Sequence, residues 1–157
     1  MTLIMFCGGE CTGKTTILEK YKGLGIPELV LDRAVNTKKD TVKEINARVD
    51  ATNKDIRKAI MSPKLQLLDR GFVSSEVYRR VFNRCSKDYI KEFEDVKDKI
   101  LIIYCWANRD TRLERWKNRH KTTDHFKAYS ECIMEVFDTV MAEMVSDGWS
   151  IININTS

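Results

Sequence analysis

The chain has 157 residues, 43% of them apolar and 32% charged, with a net charge of +4. That is the size of one compact domain with a buried core, and it excludes a fibrous or low-complexity class. Basic residues are spread along the chain rather than clustered, a pattern that suits a small anionic ligand at least as well as nucleic acid.

In chain order, five short apolar runs rich in β-branched residues read as strands: TLIMFC (2–7), ELVLD (28–32), KLQLLD (64–69), ILIIYC (100–105) and SIININ (150–155). Between them, apolar spacing of three and four predicts helices over roughly 14–23, 41–61, 73–84, 87–98, 109–118 and 125–146. Pro63 precedes the third strand, and Asp147-Gly148 stops the last helix. Strands alternating with helices predict an α/β fold: a five-stranded parallel sheet with helices on both faces, in one domain over residues 1–157. No run reaches the ~18 apolar residues of a membrane span, and no basic region followed by an apolar signal-like stretch opens the chain. Five cysteines without a CxxC pair fit reduced thiols, so the cytoplasm is the expected compartment.

The most informative stretch is GGECTGKTT, residues 8–16, directly after the first predicted strand. Gly8, four residues and then Gly13-Lys14-Thr15 match the Walker A pattern at a strand-to-helix junction. Chemistry explains the spacing. Gly8 and Gly13 let backbone N–H groups curl around phosphate oxygens, with Thr16 continuing the helix start. Lys14 reaches the β and γ phosphates, and the Thr15 hydroxyl ligates Mg²⁺. ATP with Mg²⁺ is the expected cofactor pair. Cys7 and Cys11 flank the loop as small fillers. A switch GTPase would need a base-reading NKxD late in the chain, and TNKD at 52–55 comes too early.

The third predicted strand ends in Asp69 followed by Arg70. An aspartate there can hold a Mg²⁺-bound water or accept a proton, and the arginine can clamp an acceptor phosphate with two donors. The alternative is a strand-capping aspartate beside an exposed arginine. Further on, Arg109, Arg112, Arg115 and Arg119 recur at spacings of three and four on one predicted helix face. They read either as a solvated basic face or as a lid that folds over the transferred phosphoryl group. Phe72 and Tyr78 read either as covers for a base or as ordinary core. His120 and His125 read as lid surface, and Trp106, Trp116 and Trp149 as packing.

With these residues in place, the sequence resembles the thymidylate kinase group of nucleoside monophosphate kinases and suits a compact, phage-type member. FCGGECTGKTT (6–16), INARV (45–49), LLDRGFVSSEVY (67–78) and RLERWKNRH (112–120) carry the likeness. The resemblance implies a three-layer P-loop NTPase fold with a short lid, and transfer of a phosphoryl group from ATP to dTMP. It implies that Glu10 contacts the acceptor sugar, that Asp69 assists transfer and holds Mg²⁺ with Thr15, and that Arg70 and Arg33 hold the acceptor phosphate. Arg48 would read the thymine carbonyl, Phe72 would contribute to the acceptor site, and Arg115 and Arg119 would serve as lid arginines. A homodimer, with no membrane and no nucleic acid as partner, completes the expectation. The chain departs from the family at Cys7, where glutamate is usual, and at its last predicted strand, where a further helix is usual. Two other readings stay open: a kinase of a hydroxyl acceptor, either a deoxynucleoside or a polynucleotide 5′-end, and a catalytically idle nucleotide-binding protein.

Overall fold

Alternation along the first strand decides the architecture. In the computed structural model, which describes residues 1–31 and 40–157, strand β1 (Leu3–Cys7) is buried along its whole length. Leu3, Met5 and Cys7 face one apolar cluster, while Ile4 and Phe6 face another. A strand buried on both faces must sit between two layers of helices. The sheet is parallel with order β2-β1-β3-β4, where β2 is Gln66–Asp69, β3 is Ile100–Trp106 and β4 is Ile151–Asn155. The larger cluster packs Phe72, Phe93 and Phe137 against one face, and Leu18 packs on the other.

Four strands form among the described residues, where the sequence predicts five. The predicted strand over 28–32 is reduced, in its described part, to one parallel bridge between Glu28 and Leu67. Leu29 N–H donates to the Leu67 carbonyl at 2.7 Å, and Leu67 N–H donates to the Pro27 carbonyl at 2.9 Å. The described part of the segment therefore lies beside β2. Pairing stops there because Pro27 has no N–H to donate, β2 is four residues long, and Val30 is 86% exposed.

The helices follow the predicted spans with local departures. Helix α1 is Lys14–Lys22, and α2 is Val42–Met61 with Thr41 as its cap, accepting from Glu44 N–H at 3.2 Å. Helix α3 is Phe72–Phe82, and α4 is Arg109–His120, capped by Asn108. The helix predicted over 87–98 is instead a 3₁₀ stretch, Lys91–Lys99. Asp88 starts it tightly by accepting from both Ile90 and Lys91 N–H groups. The long helix predicted over 125–146 divides into a π-helical turn, Phe126–Glu131, and α5, Cys132–Ser146.

Candidate functional site

Between β1 and α1 the loop over residues 8–13 turns through three left-handed backbone positions: Gly8 (φ 148°), Cys11 (φ 66°) and Gly13 (φ 74°). Gly8 is required by space as well as by angle, because a methyl group there would stand 2.3 Å from the Cys105 carbonyl oxygen. Thr12 closes the loop from inside, its hydroxyl donating to the Gly9 carbonyl at 2.8 Å. The start of α1 presents Thr15 and Thr16 to solvent, while Lys14 is buried. Its ammonium pairs with the Asp69 carboxylate at the carboxyl end of the neighbouring strand β2. The structure thus joins the two motifs that the sequence reading set side by side.

Two segments brace this loop from above. Arg115 Nη1 donates to the Cys11 carbonyl at 3.1 Å and to the Thr156 hydroxyl at 3.0 Å, while Nη2 donates to the Thr156 carbonyl at 2.6 Å. The Thr156 hydroxyl in turn donates to the Thr12 carbonyl at 2.6 Å. Arg115 is therefore bonded to two backbone carbonyls and one hydroxyl, the contacts of a brace on the loop. Arg119 sits on the exposed end of α4, and its guanidinium meets Glu10 at 3.2 Å. His120 Nε2 lies 2.7 Å from the same Glu10 oxygen, so Glu10 links the phosphate loop to α4. Trp116 and Phe126 pack beside Cys11 beneath that link.

On the other side of Asp69 the chain opens into a cavity of about 570 Å³ between α2 and α3. Its size suits a small organic ligand. Helix α2 contributes Arg48, Thr52 and Asp55, and α3 contributes Ser74, Ser75, Tyr78 and Phe82. Arg70, Arg84 and Tyr129 complete the wall. Arg70 stands exposed in a left-handed turn (φ 65°), its N–H donating to the Phe6 carbonyl at 2.9 Å, which aims the residue away from the strand. Arg48 is paired with Asp40 at 2.6 Å at the cavity wall.

Phe72 is a correction. It is fully buried and stacks on Phe93 with ring centres 4.1 Å apart, next to Trp149 at 5.7 Å. Its neighbours are core, so it covers no base. The position directly after Gly71 points into the sheet because Phe72 begins α3 on its buried stripe. Arg33 lies outside the described residues. Sequence reasoning missed Phe82, Arg84 and Tyr129. The spacing of Ser74 or Ser75, Tyr78 and Phe82 on one face of α3 was a usable signal for the first, whereas Arg84 and Tyr129 lie outside any motif.

Thiols near the loop are inert packing. Burial pushes Cys7 far above the usual thiol range, and Cys105 up to about 11. No helix among the described residues is long and apolar enough to cross a membrane.

No family model matches the chain, and no curated protein matches it. Solved structures do. The YorR protein of Bacillus subtilis, in complex with phosphorylated GDP, is 21% identical with a TM-score of 0.63, over 99% of this chain and 86% of that one. Deoxyadenosine kinase from M. mycoides, with products dCMP and a flexible dCDP, is 18% identical with a TM-score of 0.64, over 98% of this chain and 90% of that one. The same enzyme with bound dATP is 17% identical with a TM-score of 0.62, over 98% and 91%. At these identities the likeness establishes the fold: this chain shares the α/β architecture of the YorR protein and of the M. mycoides deoxyadenosine kinase.

Proposed function

We propose that the chain transfers the γ-phosphoryl group of ATP to the 5′-phosphate of a deoxynucleoside monophosphate, thymidylate first among them. The single observation behind this reading is the Lys14–Asp69 pair, which places the phosphate loop next to the cavity that Arg70 enters. In the reaction the bond between the γ-phosphorus and the bridging oxygen of ADP breaks, and a new bond forms to an acceptor phosphate oxygen. That oxygen is already ionised, so no general base is needed. What the protein must supply is alignment and neutralisation of charge.

Each residue then has a role. The N–H groups of the loop, with Gly8, Gly13, Thr16 and the start of α1, cradle the donor phosphates, and Lys14 neutralises their charge. Thr15 and Asp69 offer hard oxygen donors that suit Mg²⁺, which would neutralise and orient the donor phosphates. Among the described residues no larger set of acidic or imidazole ligands gathers elsewhere. Arg70 clamps the acceptor phosphate, and Arg119 lies at the edge of the loop as the lid arginine. Arg115 acts as a positioning residue through Cys11. Arg48, in the cavity wall, donates to the 4-carbonyl of thymine, which cytosine replaces with an amino group. Arg33 and Glu10 keep their roles from the family resemblance, and a homodimer remains part of the proposal.

The deoxyadenosine kinase fold supports a second reading, in which the acceptor is a nucleoside hydroxyl and Asp69 takes its proton. A panel assay of ADP release separates the two, using ATP and Mg²⁺ with each deoxynucleoside monophosphate and each free deoxynucleoside. Turnover on monophosphates, strongest with dTMP and steeply reduced in Arg70→Lys, is the expected result. Turnover on free nucleosides alone, indifferent to Arg70→Lys, overturns it.

A further inference from the structure

The arginines of this molecule fall into two groups. Every other described arginine holds a carboxylate, carbonyl or hydroxyl oxygen through its guanidinium. Arg70 and Arg84 hold none among the described residues, and both line the cavity between α2 and α3. They stand at its opposite ends. Arg70 precedes the first turn of α3, and Arg84 follows Asn83, the left-handed cap at its other end (φ 48°). The 11 residues of α3 between them make a helix about 16 Å long.

Arg84 is also held in place. Its carbonyl accepts from Asn46 Nδ2 at 3.2 Å, its N–H donates to the Arg79 carbonyl at 3.1 Å, and its guanidinium lies 5.0 Å from the centre of the Phe82 ring. Between the two cations the groove is aromatic. Tyr78 stacks in parallel with Phe82 (6.1 Å, 4°), and Phe82 meets Tyr129 at 6.4 Å. Phe82 and Tyr129 remain 45% and 37% exposed at the wall of the cavity. Asp55, the carboxylate in the groove wall, stands 3.9 Å from Lys58 and leaves the cationic balance in place.

Cations at both ends of a groove with partly exposed aromatic rings between them match a nucleotide chain, whose phosphates and bases alternate. We propose that Arg84 forms a second anion subsite, so that the preferred acceptor is a nucleotide with a further phosphate on its 3′ side. The 5′-phosphate rests on Arg70, the base stacks against Phe82 and Tyr129, and the second phosphate meets Arg84. Two sources supply that chemistry: a nucleoside 3′,5′-bisphosphate, and the 5′-phosphorylated end of a short single strand. The inference rests on the acceptor site proposed above. The transfer step is unchanged, since the new bond still forms at the 5′-phosphate.

Isothermal titration of the full chain with three probes tests it: dTMP, thymidine 3′,5′-bisphosphate and the 5′-phosphorylated dinucleotide of thymidine. A charge-assisted contact predicts that at least one doubly phosphorylated probe binds about tenfold more tightly than dTMP. That ratio should fall close to one in Arg84→Gln and be partly kept in Arg84→Lys. Because each ratio is taken within one protein, a partly folded variant does not distort it. Whichever probe carries the advantage identifies the source. Equal affinity for all three probes, or an advantage that survives Arg84→Gln, overturns the subsite. ADP release is measured on the same samples. Absence of turnover together with an intact binding ratio would remove the kinase reading and leave the subsite standing.

Discussion

Replacing Arg115 with alanine distinguishes a brace from a catalytic arm. The substitution removes three hydrogen bonds from a charged donor, two of them to backbone carbonyls of Cys11 and Thr156. Each such bond contributes about 1.5–3 kcal/mol when buried. Arg115 is half-buried and two of its bonds end on one residue, so the losses are not additive, and about 2–3 kcal/mol in all is expected. For a domain of this size that lowers Tm by about 4–12 °C. Turnover should fall as well, since the Cys11 carbonyl loses the contact that fixes the loop, and KM for ATP should rise more than KM for the acceptor. Differential scanning calorimetry beside steady-state kinetics reads both effects. If Tm stays within a degree of wild type while kcat collapses, Arg115 is not a brace, and its role as a mobile lid arginine is restored.

Three further outcomes follow from the described contacts. Lys14→Ala should keep the fold by circular dichroism while lowering kcat by about 10²–10³-fold, since it removes one charge stabiliser of the transferring group; near-full turnover would take Lys14 out of the reaction. Phe72→Ala should cost about 3–5 kcal/mol in urea denaturation, while the milder Phe72→Leu should leave the acceptor KM unchanged, because the ring sits in the core; a raised KM with unaltered stability would return it to the base site. Glu76, fully buried, is pushed up by desolvation, but bonds from Arg79, Arg80 and the Tyr89 N–H outweigh that and hold it below its usual value. Its contribution is thus present above pH ~4.5 and lost as pH falls through the lower folded value. Glu76→Gln should destabilise by about 3–5 kcal/mol at neutral pH and flatten the acid limb of the stability curve; an unchanged acid limb would show that Glu76 does not set it.

What could be read from the sequence was whatever local chemistry dictates. The phosphate loop demands glycines at set spacing and a strand before it, and residues 8–16 supply both. The continuous apolar run LIMFC reads as a strand, and its place among alternating strands and helices as a sheet covered on both faces. The edge segment after Pro27 was misread because its apolar residues satisfy a strand pattern while its pairing depends on how long a neighbour it finds. The 3₁₀ stretch was read as a helix because apolar spacing reports a buried face and not the hydrogen-bond register. At the site, Asp69 and Arg70 stood out because a motif announces them. Phe72 was misplaced because a residue type names a chemistry, but its partners decide the use. Arg84 and Tyr129 reach the cavity from a helix cap and a π-turn, and only the folded chain brings them there.

The contact between Thr12 and Thr156 joins positions 144 apart in sequence. Loop closure over such a span comes late in folding, after the sheet has assembled, because its entropy must be met before the contact returns anything. The phosphate loop at the head of the chain therefore stays unfinished on the ribosome until β4 has emerged and docked on β3. A nascent fragment holding the whole glycine-rich motif would lack the braced loop, and nucleotide capture becomes a report on the completeness of the entire sheet.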